Sequence, residues 1–175
     1  MNSMYLRLVF HFIILCLLVV VQLAVLPNLP WGLQYLNLLL VILIFSLLFL
    51  DFYWSFGWWL GSAWLLSLFS FDSFSGLIII ATISFLIIYW LLISFFTNRS
   101  LYSLMFLTGL ALLINDLGLY GFNYLTASYH NTPMIAMGSG WWLLELKALG
   151  VNLILTVIVF YAFNFFSQRF RPILT

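Results

Sequence analysis

The chain has 175 residues, of which 66% are hydrophobic, 21% aromatic and only 5% charged, with a formal net charge of +1. A soluble domain carries about 25% charged residues, so this chain cannot present a wetted surface, and its net charge offers no basic field for nucleic acid. The single cysteine, Cys16, excludes an internal disulfide and a four-cysteine metal site.

The expected architecture is all-α, a polytopic membrane protein forming one integral domain over residues 1–175. Crossing about 30 Å of hydrocarbon takes about 20 apolar residues, and six such spans can be read. Span one covers 8–26. Arg7 before it gives the look of a signal peptide, but the apolar run exceeds the roughly 7–15 residues of a signal core and no small-x-small site follows. Pro27, Pro30 and Gly32 end it. Span two covers 36–52 and span three 54–71. The polar turn Asp72-Ser73-Phe74-Ser75-Gly76 leads to span four, 77–96. Thr97-Asn98-Arg99-Ser100 leads to span five, 101–125. A longer polar stretch, 126–140, precedes span six, 141–166. The runs are continuously apolar, whereas barrel strands alternate over about 10 residues.

The arginines agree with six. Arg7, Arg99, Arg169 and Arg171 all fall on one side only for an even count, and the positive-inside rule puts that side, with both termini, in the cytoplasm. Trp31, Tyr35, Trp54, Tyr129, Trp141 and Trp142 lie near span ends, where aromatic rings favour the interface.

The polar residues inside the spans are few. Gly57-x-x-x-Gly61 puts two glycines on one helix face, where another backbone can approach closely, either within the bundle or from another subunit. Asn37 opens span two and Gln22 lies near the outer end of span one; interhelical hydrogen bonds suit both. Asp116 is buried in span five. At about 1.5 Å per residue it lies about 22 Å beyond Leu101, close to the depth of Lys147 on the antiparallel span six. An Asp116–Lys147 ion pair is therefore expected, with Glu145, Asn115 and Asn152 nearby; the alternative is that Lys147 extends to the headgroups. His11 and His130 fall on opposite sides of the membrane and cannot share a metal. No metalloprotease pair, converging nucleophile and base, or phosphate-binding glycine loop is present, which argues against an enzyme and against a cofactor or metal.

The order Gln22…Leu26-Pro27…Asn37-Leu38-Leu39-Leu40…Gly57…Gly61…Gly76 resembles the first half of the MreD family of rod shape-determining membrane proteins. The end is also similar, with 144–152 followed by a long apolar helix and then Arg169 and Arg171. Asn37 stands where the family usually has Asp, and Leu36 where it has Pro. The resemblance implies a non-catalytic scaffold in the bacterial cytoplasmic membrane, supporting lateral peptidoglycan synthesis and cell shape. Its implied partners, besides membrane lipid, are MreC-like proteins, MreB-like filaments, and a RodA-type glycosyltransferase with its transpeptidase. Gly57, Gly61, Asn37 and Gln22 would serve helix packing and docking. MreD proteins also look like the substrate-binding subunits of energy-coupling-factor vitamin transporters. In that alternative Asp116, Glu145, Lys147 and Asn152 would contact a ligand at the outer end. A third reading is an accessory subunit of a larger membrane complex.

Overall fold

The computed structural model describes residues 2–30, 32–69, 74–96, 100–130 and 139–169. Six α-helices run through them: α1 (Asn2–Val20), α2 (Leu38–Phe49), α3 (Phe52–Phe69), α4 (Phe74–Ser94), α5 (Leu101–His130) and α6 (Ser139–Arg169). No strand occurs among the described residues.

Four stretches are long and apolar enough to cross a membrane: Tyr5–Asn28, Gly76–Ser94, Leu101–Tyr129 and Gly140–Phe165. Their outer faces are apolar. Leu6, Phe10, Ile13 and Leu17 of α1 are exposed, as are Leu86, Trp90 and Ile93 of α4 and Ile154, Ile158 and Tyr161 of α6. Water would not tolerate this surface, and lipid would.

The second and third expected spans take a different form. α2 has only 12 residues, about 18 Å at 1.5 Å per residue, too short for a 30 Å core. It is instead the centre of the bundle. Leu39, Leu40, Val41, Leu43, Ile44, Phe45, Leu47 and Leu48 are all buried, and α1, α3, α5 and α6 pack around it. A helix apolar on every side is one surrounded on every side. α3 has 18 residues, and its four tryptophans, three serines and two glycines make it less apolar than the flanking helices.

The boundaries follow local chemistry. α1 runs into a π turn, Val21–Val25, and a 3-10 turn, Leu26–Asn28, with Pro27 in the first turn of the latter. Gly32 adopts a left-handed φ of 82° before a second 3-10 turn, Leu33–Tyr35. Asn37 caps α2, its Oδ1 accepting from the Leu40 amide at 3.0 Å, the usual role of Asn before a helix. Leu50 is extended and breaks α2 from α3. There the Ser55 hydroxyl lies 3.3 Å from the Ser46 carbonyl and 3.4 Å from that of Leu50, which ties the start of α3 to the break.

α5 and α6 are longer than expected, with 30 and 31 residues. At about 45 Å each they exceed the hydrocarbon thickness. Residues 131–138 of the expected outer loop, with Asp72, Arg99, Arg171 and Trp31, lie outside the described residues.

α4 and α5 meet through a small residue that the sequence pattern did not single out. A Cβ on Gly118 would lie 2.8 Å from Ile80 Cγ2, so the helices approach there as no larger residue allows. On α4, Phe85 is fully buried and meets Phe52, Phe56, Trp59 and Tyr89 at centroid distances of 5.5, 5.0, 5.6 and 5.7 Å. This aromatic cluster joins α3 to α4.

Candidate functional site

Three places gather the polar atoms and cavities of the bundle. The first is the connection between α1 and α2. Its backbone is irregular and, where it joins α2, half-buried, so amides and carbonyls there need partners. Two side-chain amides provide them. Gln22 Nε2 donates to the Leu36 carbonyl at 3.0 Å, and Gln22 Oε1 accepts from the Leu39 amide at 3.3 Å. From α6, Asn152 Oδ1 accepts from the Asn37 amide at 2.7 Å, while its Nδ2 donates to the Tyr35 carbonyl at 3.0 Å. Asn152 is fully buried. One turn on, Thr156 is also fully buried, with its hydroxyl 2.8 Å from the Asn152 carbonyl and 3.3 Å from Thr108 Oγ1 of α5. Gln22 and Asn37 are thus packing residues of the connection. Asn152, expected only as a neighbour of the charged pair, is the residue that fastens the connection to α6.

The second place is the charged pair. The group on α6 that acts on Asp116 is Glu145 rather than Lys147. Lys147 is exposed and lines a groove with Gly32, Gln34, Tyr35 and Gly150. The reason is rotation about α6. At 3.6 residues per turn, Glu145 and Lys147 point about 200° apart, whereas Glu145 and Asn152, seven residues apart, share a face. Matching depth therefore does not bring Lys147 to Asp116. The beginning of a helix-to-helix polar seam is visible beside them: Asn115 Nδ2 donates to Ser84 Oγ of α4 at 3.2 Å and to the Ala111 carbonyl at 2.8 Å. Asn37, Ser62, Asn115 and Asp116 line a cavity of about 150 Å³ between α2, α3, α4 and α5, with Leu40, Leu43, Trp59 and Ala81 as apolar wall.

The third place is the cleft between α1 and α3, about 180 Å³, lined by Leu8, His11, Phe12, Trp54, Gly57, Trp58, Gly61 and Trp64. The two glycines differ here. A Cβ on Gly61 would lie 3.0 Å from Leu15 Cδ2, whereas one on Gly57 meets nothing within 4 Å. Gly61 belongs to α1–α3 packing, and Gly57 leaves backbone open. His11 lies between Trp54 and Trp58, with centroids 5.0 and 5.6 Å away. His11 Nδ1 and Trp58 Nε1 are buried without a hydrogen-bond partner.

No protein-family model, curated protein or solved structure matches this chain. Among the described residues no group of three or more His, Cys, Asp or Glu side chains is placed to hold a metal. His11, of α1, and Phe163, of α6, line one pocket with Leu50 at the α2–α3 break. The beginning of α1 with Arg7 and the end of α6 with Arg169 therefore lie at the same end of the bundle.

Proposed function

We propose that this chain is a non-catalytic membrane scaffold of the kind its MreD resemblance implies, holding partner proteins of lateral wall synthesis in the bacterial cytoplasmic membrane. In this reading the chain traverses the bilayer six times with both termini in the cytoplasm. The crossing through α2 is completed by the irregular connection that Gln22 and Asn152 fasten at the start of α2. The shared end of Arg7 and Arg169 supports an even number of crossings.

The observation that carries the reading is the open backbone at Gly57 in the α1–α3 cleft. Close helix–helix approach in a bilayer needs small residues at the contact. Gly57 presents one that the chain's own helices do not use. The cleft wall adds His11 and Trp58, whose Nδ1 and Nε1 are buried without a partner, and a hydroxyl on a partner helix could satisfy them once the two rings turn toward the cleft. A transmembrane helix of an MreC-like or RodA-type protein is the proposed occupant.

The test is co-purification. The chain is tagged at its C-terminus, extracted in mild detergent from native membranes, and its companions are identified by mass spectrometry. MreC-like and wall-synthesis proteins should be enriched, and Gly57→Leu should lose them while keeping the wild-type melting temperature. Enrichment of a transporter ATPase pair, or an interaction that Gly57→Leu leaves intact, would overturn the reading.

A further inference from the structure

The cavity between α2, α3, α4 and α5 has no role in the scaffold reading. Its volume is about 150 Å³, a size that takes a molecule like benzene, with about six or seven non-hydrogen atoms. Leu39, Leu40, Leu43, Trp59, Ala63, Leu66, Leu77, Ala81 and Leu119 supply apolar wall, and Asp116 is the one charged residue lining it.

The other polar groups of the wall are already committed in a revealing way. Ser62 gives its hydroxyl hydrogen to the Trp59 carbonyl at 2.7 Å. Asn37 Oδ1 accepts from the Leu40 amide. Asn115 spends its Nδ2 on Ser84 Oγ and the Ala111 carbonyl, leaving its Oδ1 to accept. Beside that oxygen in sequence stands the Asp116 carboxyl, whose partner Glu145 is another carboxyl and no cation. The wall therefore offers acceptors from two adjacent residues, one of them a carboxyl group, while Lys147 is exposed in a different groove. A carboxyl group lining a cavity at this depth, with Lys147 turned to another groove, favours a cation, and the apolar wall favours a cation that carries a hydrocarbon body.

We propose that this cavity binds a small protonated amine, its ammonium group on Asp116 and the Asn115 amide oxygen, and its apolar body against Leu40, Leu43 and Trp59. The inference is independent of partner docking at the α1–α3 cleft, which lies on the other side of α3.

The probes are cyclohexylamine, cyclohexanol and cyclohexanecarboxylate, which share one ring and differ in charge. Each is titrated against the full chain in detergent micelles at neutral pH, with the melting temperature as readout, since a ligand of the native state stabilises it by mass action. Cyclohexylamine should raise the melting temperature saturably, with apparent affinity at least tenfold above that of cyclohexanol, and the carboxylate should have no effect. Asp116→Asn should bring the amine down to the level of the alcohol. Ala81→Leu, which fills the cavity without touching a polar group, should abolish the response to both. Equal responses to amine and alcohol, an amine response that survives both variants, a response to sodium ions alone, or no response to any probe would overturn the proposal.

Discussion

Replacing Asn152 with leucine, which keeps the branching at Cγ but is bulkier and cannot hydrogen-bond, should detach the α1–α2 connection from α6. The magnitude follows from its bonds. Asn152 Oδ1 holds the Asn37 amide at 2.7 Å and Nδ2 holds the Tyr35 carbonyl at 3.0 Å. Its third bond, to the Ala148 carbonyl at 2.8 Å, shares an acceptor with the helix ladder and matters less. Two backbone groups thus lose their partners. Side-chain hydrogen bonds in a membrane protein average about 0.6 kcal/mol each and reach about 1.7. Two of them give roughly 1–3 kcal/mol of destabilisation. The upper part of that range is expected because the residue is fully buried and water cannot replace the amide. Asn152→Asp should be worse than leucine: it keeps an acceptor for Asn37 but sets a second oxygen against the Tyr35 carbonyl and buries a charge. Ile154→Ala is the control, since that side chain is 63% exposed on the lipid-facing side. The assay is reversible unfolding in mixed micelles of increasing SDS fraction, followed by the fluorescence of the eight tryptophans. If Asn152→Leu unfolds at the same SDS fraction as Ile154→Ala, the amide does not hold the connection and the argument fails.

Gln22→Leu removes the other two bonds to the same connection and should cost about 1–2 kcal/mol by the same scale; combined with Asn152→Leu it should cost less than the sum, because residues serving one segment couple, and a strictly additive double variant would separate their roles. Gly118→Val should destabilise by about 1–3 kcal/mol through overpacking against Ile80 Cγ2, 2.8 Å from the built Cβ; Ile80→Ala should restore part of that loss in the same unfolding assay, and no restoration would place the strain elsewhere. Gly61→Leu should lower the melting temperature by crowding Leu15, while Gly57→Leu should leave it unchanged; equal effects would mean that the two glycines share one environment.

The helical class, the spans of α4, α5 and α6, and the polar character of Gln22 and Asn37 were legible because each rests on local sequence: long apolar runs, a proline or polar turn between them, and Asn at a helix start. α2 was harder to read. Its composition is that of a membrane span, and hydropathy cannot distinguish a helix wrapped by lipid from one wrapped by protein. Only its burial on all sides separates them. The Asp116–Lys147 expectation used depth along the helix but not angle around it, and depth alone also fits Glu145. Two residues along α6 change the direction by more than half a turn, enough to exchange a cation for a carboxyl as the partner. Gly118 escaped notice for a related reason: a lone glycine in a long helix carries no pattern until its neighbour on α4 is known.

These particulars explain how an irregular segment is accommodated beside the central helix α2. Lipid-facing backbone must be helical, but a central segment is free to bend if side chains supply what its own hydrogen bonds do not. Gln22 of the π turn and Asn152 of α6 do so together where the connection enters α2. α2 is then short because it begins where those amides hold it, at Asn37, and ends where Leu50 turns the chain into α3. That shortness leaves space beside Asn37 between α2 and α5, and the cavity reaching Asn115 and Asp116 occupies it. Had α2 been a full-length span with a regular helical start, no amide pair would have been needed and less room would have remained beside Asp116. The polar residues of this apolar chain are therefore of two kinds. Gln22, Asn37, Asn152, Thr108 and Thr156 have their hydrogen bonds within the bundle. Asp116 has another carboxyl, Glu145, acting on it and lines the wall of the cavity proposed to take a ligand.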